Sequence, residues 1–279
     1  MLSAGGIASL LILAASAGLG SAQTFGKCNP RERDACPPDN AFGNRAAPCE
    51  LERDLCGIFT GNDGSDVTYG SRGAAFKIEK PSDAPTVQSS NYIFFGRVDA
   101  FMRAAPGSGI ITSLVLQSDD LDEIDWEFIG SDNTQVQTNY FSKGNTSTYD
   151  RGQFHDVSDP VGSTHKYTIE WTRTRLVWSI DGKPVRTLLA SECKPGTASG
   201  FPETPMQVKL GTWVAGKEGA APGTIQWAGG YADWSKKPFV AYYKDVTIAD
   251  YAGGDGPGRA AERYVYGDRS GTWQSIRIE

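Results

Sequence analysis

Histidine is nearly missing from this chain of 279 residues: His155 and His165 are the only two. That scarcity argues against a histidine-rich metal site, and no C-x-x-C pair occurs to suggest structural zinc. Basic residues are outnumbered, 27 Lys and Arg against 33 Asp and Glu, which gives a formal charge of -6 and a pI near 5.1. A phosphate backbone needs a basic face, so no nucleic-acid partner is expected and a neutral or basic substrate fits better. There is no Gly-rich phosphate loop, no G-x-S-x-G nucleophile elbow and no internal repeat. No stretch sustains a helical hydrophobic period. No metal and no cofactor are implied.

What the chain does have, from about residue 66 onward, is a succession of short runs rich in Val, Ile, Tyr, Phe, Trp and Thr. Examples are "GIITSLVLQ", "EIDWEFIG", "QVQTNYF" and "MQVKLGTWVAG", separated by Gly, Asp, Asn and Pro clusters. The pattern predicts an all-β antiparallel sandwich, and the length suits one such domain with a large core. In "HKYTIEWTRTRLVWSIDG", Tyr167, Ile169 and Trp171 alternate with polar neighbours before Leu176, Trp178 and Ile180, predicting a hairpin near Arg173 to Arg175. After the "GGDGPG" break, "RYVYGDRSGTWQSIRIE" adds one or two strands.

The N-terminal part reads differently. Residues 5–22 are a short apolar run ending in small residues, with Gly20 and Ala22 placed as a signal-peptidase site, so residues 1–22 are expected to be a signal peptide. Residues 23–57 follow as a Cys-rich segment packed on a domain of residues 58–279. Five cysteines suit an oxidising compartment; Cys28 and Cys36 are the first pair expected to bridge, because "NPRERDA" between them can turn back on itself. The odd count leaves one thiol over. Asn145-Thr146-Ser147 is the one N-glycosylation sequon, marking Asn145 as a surface-loop acceptor.

The densest chemistry lies in "LQSDDLDEIDWEFIG", residues 116–130, where five carboxylates fall in the seven residues from Asp119 to Asp125 and Glu127 follows. As a strand, Ile124, Trp126 and Phe128 share the core face, and Glu123, Asp125 and Glu127 share the other, displayed face. Three carboxylates in line repel, so at least one proton should be shared. The α-carbons of Glu123 and Glu127 would lie about 13 Å apart, and side chains leaning together can approach the roughly 5 to 5.5 Å separation of a retaining glycosidase. Asp125 between them could tune both. A solvated acidic strand face and a calcium site are the competing readings; like charges in line cost a sheet stability, and no Gly occupies the sixth position an EF-hand loop needs.

"DEIDWEFIG" fits the D-E-I-D-x-E signature of glycoside hydrolase family 16. The flanking "GRVDAFMRAAPGSGIITSLVLQSDDLDEIDWEFIG", "QVQTNYFSKG", "GQFHDV" and "WAGGYADW" resemble the Crh-type fungal cell-wall transglycosylases. The resemblance implies a β-jelly-roll of two curved antiparallel sheets with a concave cleft. It implies Glu123 as nucleophile, Glu127 as general acid/base and Asp125 as the assisting carboxylate. It also implies cleavage of chitin and transfer of the fragment to β-glucan or chitin, by a secreted cell-wall protein that is GPI-anchored if the full-length chain carries the anchor signal many members have. A monomer acting on polysaccharide chains is expected. A plain hydrolase and a non-catalytic carbohydrate-binding lectin remain as rival readings, and for an acid/base pair of carboxylates a mildly acidic optimum is expected.

Candidate sugar-contacting side chains follow from local context. Trp227 stands first, in the Gly-interrupted "GTIQWAGGYADW" read as a loop beside the cleft, followed by Trp213 and Trp234; for each, core packing is the alternative. Gln117, Tyr140 and Lys143 are further candidates. His155 is either a cleft residue or a hydrogen-bonded loop histidine.

Overall fold

The computed structural model describes residues 28–43, 46–61 and 66–279, so the expected signal peptide lies outside the described residues. The strands of the first part are β1 (Asp39–Asn40), β2 (Ala46–Cys49), β3 (Phe59–Gly61), β4 (Val67–Gly70), β5 (Gly73–Ile78) and β6 (Thr86–Ser89). Next come β7 (Gly96–Arg103), β8 (Ile110–Ser118), β9 (Glu123–Ile129), β10 (Gln135–Phe141), β11 (Gln153–Asp156) and β12 (His165–Trp171). The last are β13 (Arg175–Ile180), β14 (Lys183–Leu189), β15 (Met206–Val214), β16 (Phe239–Asp250), β17 (Arg263–Tyr266) and β18 (Ile276–Ile278).

They form a jelly-roll sandwich. One antiparallel sheet runs β11-β10-β9-β8-β15-β6-β3; the other runs β14-β13-β12-β7-β16-β5-β4, with β2 also pairing β16. β1, β17 and β18 make a small third sheet, so the C-terminal run supplies two strands. The expected hairpin joins β12 to β13, with Trp171 opposite Leu176. Cys28 is bonded to Cys36 and Cys49 to Cys56, while Cys193 is a free thiol. One short α-helix, α1 (Pro222–Trp227), interrupts the β pattern; the sequence reading took that stretch for a loop. Pro222 at its first turn needs no intrahelical donor, which lets a six-residue helix start there.

The core between the sheets fixes which way β9 faces. Ile124, Trp126 and Phe128 are buried there, and the rings of Trp126 and Phe128 meet Tyr167 of the opposite sheet edge-on, with centroids 5.3 and 4.8 Å apart. Burying each such side chain is worth roughly 1.5–3 kcal/mol, so a one-residue slip of register would forfeit all three. Two buried hydrogen bonds tie the sheets together from below. Trp178 Nε1 donates to the Asp125 carbonyl at 3.1 Å, and the Tyr243 hydroxyl lies 2.9 and 2.6 Å from the carbonyl oxygens of Ser113 and Gly211. The backbone beneath the acids is therefore held rigidly.

Candidate active site

The alternation along β9 turns Glu123, Asp125, Glu127 and Ile129 onto the outer face of the seven-stranded sheet. The ladders extend that face sideways. On β8, Gln117, Val115, Ser113 and Ile111 stand opposite those four residues in turn; on β10, Phe141, Asn139 and Gln137 stand opposite Glu123, Asp125 and Glu127. β15 contributes Gln207, Lys209, Gly211 and Trp213 to the same face, and β11 contributes Phe154 opposite Gln137.

The acids are not displayed to solvent as the sequence pattern suggested. Glu123, Asp125 and Glu127 are only 1, 2 and 6% exposed. No second sheet covers this face, so the burial comes from side chains and loops rising around it. The floor stays low beside Glu127, where Ser113 and then Gly211 are its neighbours across β8 and β15. A recessed floor flanked by higher walls can seat a flat, chain-like ligand.

Burial raises the proton affinity of all three carboxyls, but their donors differ. Glu123 Oε2 accepts from Gln117 Nε2 at 2.5 Å, and Gln117 Oε1 accepts from the Lys209 ammonium at 2.6 Å. Burial pushes the Glu123 carboxyl up to about 7, against the pull of the Gln117 hydrogen bond, the Lys209 charge and a hydrogen bond from Asp125. Glu127 accepts no hydrogen bond from the described residues, and burial followed by the Glu123 charge lifts it further, to about 8. Asp125 is lifted well above the ordinary range by burial first, then by the charges of the two glutamates. Both its oxygens are buried without a hydrogen-bond partner among the described residues, so nothing but a neighbouring positive charge offsets the cost of ionising it. The outcome is a trio of buried carboxyls that share their protons, with Glu123 the one member that accepts from a donor side chain and Glu127 the glutamate that accepts from none of the described residues.

The tryptophan candidates divide. Trp213 on β15 and Trp227 on α1 stack at 6.3 Å between centroids and 29° between planes, both half-buried against Ile111, Ile129, Ala215 and Ala228. Trp227 Nε1 donates to Gln137 Oε1 at 3.0 Å, tying the helix to the residue opposite Glu127. The pair thus stands at the Glu127 end of the trio, and Trp227 sits on a helix rather than in a loop. Trp234 instead packs edge-on against core Phe239, 5.9 Å away, which favours its alternative reading.

Two other expectations, Tyr140 and Lys143, are corrected. Tyr140 lies directly opposite Ile124, so it points into the core, 5% exposed, beneath the Arg186 guanidinium. Lys143 is locked in an ion cluster, its ammonium 2.5 Å from Asp122 and 3.5 Å from Asp120. Gln117 does lie on the outer face, but its amide is engaged at both ends by Glu123 and Lys209. His155 stands opposite Val136 on the core side of β11, with Nε2 2.8 Å from the Thr138 hydroxyl, so it is hydrogen-bonded as one reading had it, but on a strand rather than in a loop. Asn145 is half-buried in the connection between β10 and β11.

Sequence reasoning missed Lys209, Gln137 and Phe154, the last 47% exposed on the edge strand. The signal for two of them was present. In "MQVKLGTWV" and "QVQTNYF" the apolar residues alternate with Gln, Lys and Asn, which places Lys209 and Gln137 outward.

A jelly-roll carrying a carboxylate trio on one strand defines a class, and comparison with known proteins agrees. The family model for glycosyl hydrolases family 16 matches residues 58–229. The chain is 45% identical to Crh-like protein 5 of Aspergillus fumigatus over 96% of its own length and 65% of that protein's. It is 45% identical to Crh-like protein 4 of the same fungus over 95% of its length and 56% of that protein's, so it spans just under two thirds of one relative and little more than half of the other. The solved Crh5 transglycosylase in complex with NAG superposes with a TM-score of 0.83 at 44% identity, covering 91% of this chain and 100% of that one. The chain belongs to glycosyl hydrolases family 16, in its Crh-like group.

Proposed function

We propose that the chain is a retaining transglycosylase that cleaves chitin and transfers the fragment to β-glucan or to another chitin chain. The observation that carries this reading is the unequal surroundings of two glutamates on one buried face. Glu123, served by Gln117, Lys209 and Asp125, is the carboxylate that attacks the sugar C1. Glu127, with no donor among the described residues, keeps the proton that the leaving oxygen takes as the glycosidic bond breaks. The covalent ester on Glu123 is then opened by an acceptor hydroxyl, which gives its proton to Glu127 as the Glu123 carboxylate departs. Asp125, between the two glutamates on β9, is the assisting carboxylate whose charge state sets how readily each of them ionises.

Transfer rather than hydrolysis requires a sugar held where water would otherwise attack. The stacked Trp213 and Trp227 beside Glu127, with Phe154 across the face, offer apolar planes suited to pyranose rings. The NAG ligand of the Crh5 transglycosylase supports an N-acetylglucosamine polymer as the donor. The apolar leader at residues 5–22 and the two disulfides support a secreted protein working at the cell wall, as a monomer on its polysaccharides.

The test is to incubate the protein with a chitin oligosaccharide and a fluorescent laminarin oligosaccharide and follow the label by mass spectrometry. Labelled hybrids heavier by N-acetylglucosamine units are expected. Shortened chitin without hybrids would mean a hydrolase, and binding without any cleavage would mean a lectin.

A further inference from the structure

Lys209 stands on β15 and Glu123 on β9, with β8 between them, and Gln117 of β8 spans the gap. The chain of contacts has a fixed polarity. An ammonium has donors and no acceptor, so the Lys209 Nζ, 2.6 Å from Gln117, selects the carbonyl end of the amide. The amide nitrogen is thereby turned to Glu123, 2.5 Å away, and an N–H donor favours a carboxylate over a carboxylic acid. Without the ammonium, the amide could rotate its carbonyl toward Glu123, an arrangement that only the protonated acid satisfies.

Resting on the transglycosylase reading above, we propose that Lys209 is a positioning residue for glycosyl transfer: its ammonium orients the Gln117 amide, and the amide N–H holds Glu123 as the carboxylate that attacks and later departs. The same donor serves both steps. When the C1–O bond to Glu123 forms, the carboxylate loses its charge; when an acceptor hydroxyl displaces it and passes its proton to Glu127, the charge returns to an oxygen that already faces an N–H.

The charges around this relay are few. Lys209 is faced by Glu123 from β9 and by Asp119 from the β8–β9 turn, both of which favour the ammonium, while burial pushes it down to about 8. Its ladder partners are Gln88 on β6 and Val115 on β8, neither charged. Glu123 faces the Lys209 charge and Asp125, with Glu127 further along its own strand.

The test compares pH profiles of chitin-oligosaccharide cleavage for the wild type, Lys209→Met, Lys209→Arg and Gln117→Leu. Lys209→Met should raise the acid limb of kcat/KM by about one pH unit and lower kcat about tenfold with KM within about twofold. Gln117→Leu should move the same limb, the double variant should move it no further, and Lys209→Arg should restore it. A raised KM with an unmoved acid limb in Lys209→Met would make Lys209 a sugar contact or a structural ion and would overturn the relay. If Lys209→Met fails to fold by circular dichroism, Gln117→Leu decides on the same limb. Because the limb is read from donor cleavage, absence of transfer to laminarin would refute the acceptor reading while leaving the relay under test.

Discussion

Two groups of acids sit within nine residues of each other and live in opposite surroundings. In the turn before β9, Asp122 is fully buried and fully served: the Lys143 ammonium lies 2.5 Å away, and it accepts from the Lys143 and Glu203 backbone N–H groups and from the Thr204 hydroxyl. Asp120 accepts from Ser118 and Thr204, and Asp119 accepts from the Tyr92 hydroxyl. On the strand, Glu127 and Asp125 are almost as deeply buried and receive no donor among the described residues. Burial alone therefore does not make an acid reactive. Asp122 spends its lone pairs holding the chain, while Asp125 and Glu127 keep theirs for a ligand.

Substitutions should separate the two groups. The largest effect falls on turnover: Glu123→Gln and Glu127→Gln should each lower kcat on chitin oligosaccharide by about a thousandfold or more, checked by steady-state kinetics with melting curves to establish folding. Asp122→Asn should do the reverse, taking from a buried Lys143 its nearest counter-charge and leaving it Asp120 at 3.5 Å and Glu203 at 4.0 Å. Breaking such a pair costs about 3–5 kcal/mol, so calorimetry should show Tm lower by about 10 °C. A thousandfold kinetic loss in a fully stable Asp122→Asn would merge the two groups.

The strand acids should also burden the fold. Their carboxyls are raised above the values they would have unfolded, so their contribution to stability is complete at low pH and lost as pH climbs through about 7 for Glu123 and about 8 for Glu127. Glu127→Gln should therefore raise Tm by a few degrees, more at pH 8.5 than at pH 5, a dependence scanning calorimetry can read. The same shifts lift both limbs of the wild-type kcat/KM profile above the ordinary glutamate value of 4.5, moving the optimum from mildly acidic toward neutral. The smallest effect belongs to the wall: Trp227→Ala should raise KM several-fold and shift products from transfer toward hydrolysis, with cleavage itself largely kept.

The sequence showed this contrast only in part. Alternation in "DEIDWEFIG" gave the strand, its core face and its three outward acids, because a period of two survives whatever packs around it. The run from Asp119 to Asp125 read as one crowd of charge, since the donors that divide it come from far along the chain: Lys143, Thr204 and Lys209. Tyr140 was misplaced for a different reason. Its own strand alternates Val136, Thr138 and Tyr140 against Gln135, Gln137 and Asn139, so the parity that sends Tyr140 to the core was readable, whereas its candidacy rested on its place in "NYFSKG" alone. The recess itself was not legible. Its walls depend on α1, a six-residue helix too short to leave a hydrophobic period, and on Trp227 reaching Gln137 across 90 residues of sequence.

The most direct measurement of the proposed division between Glu123 and Glu127 is covalent trapping. A chitooligosaccharyl fluoride needs no proton to release fluoride, so Glu127→Ala should still be glycosylated and then stall for want of a base. Peptide mass spectrometry should find the sugar esterified to Glu123. A sugar on any other residue, or rapid release of product with no adduct at all, would contradict the assignment of Glu123 as the attacking carboxylate.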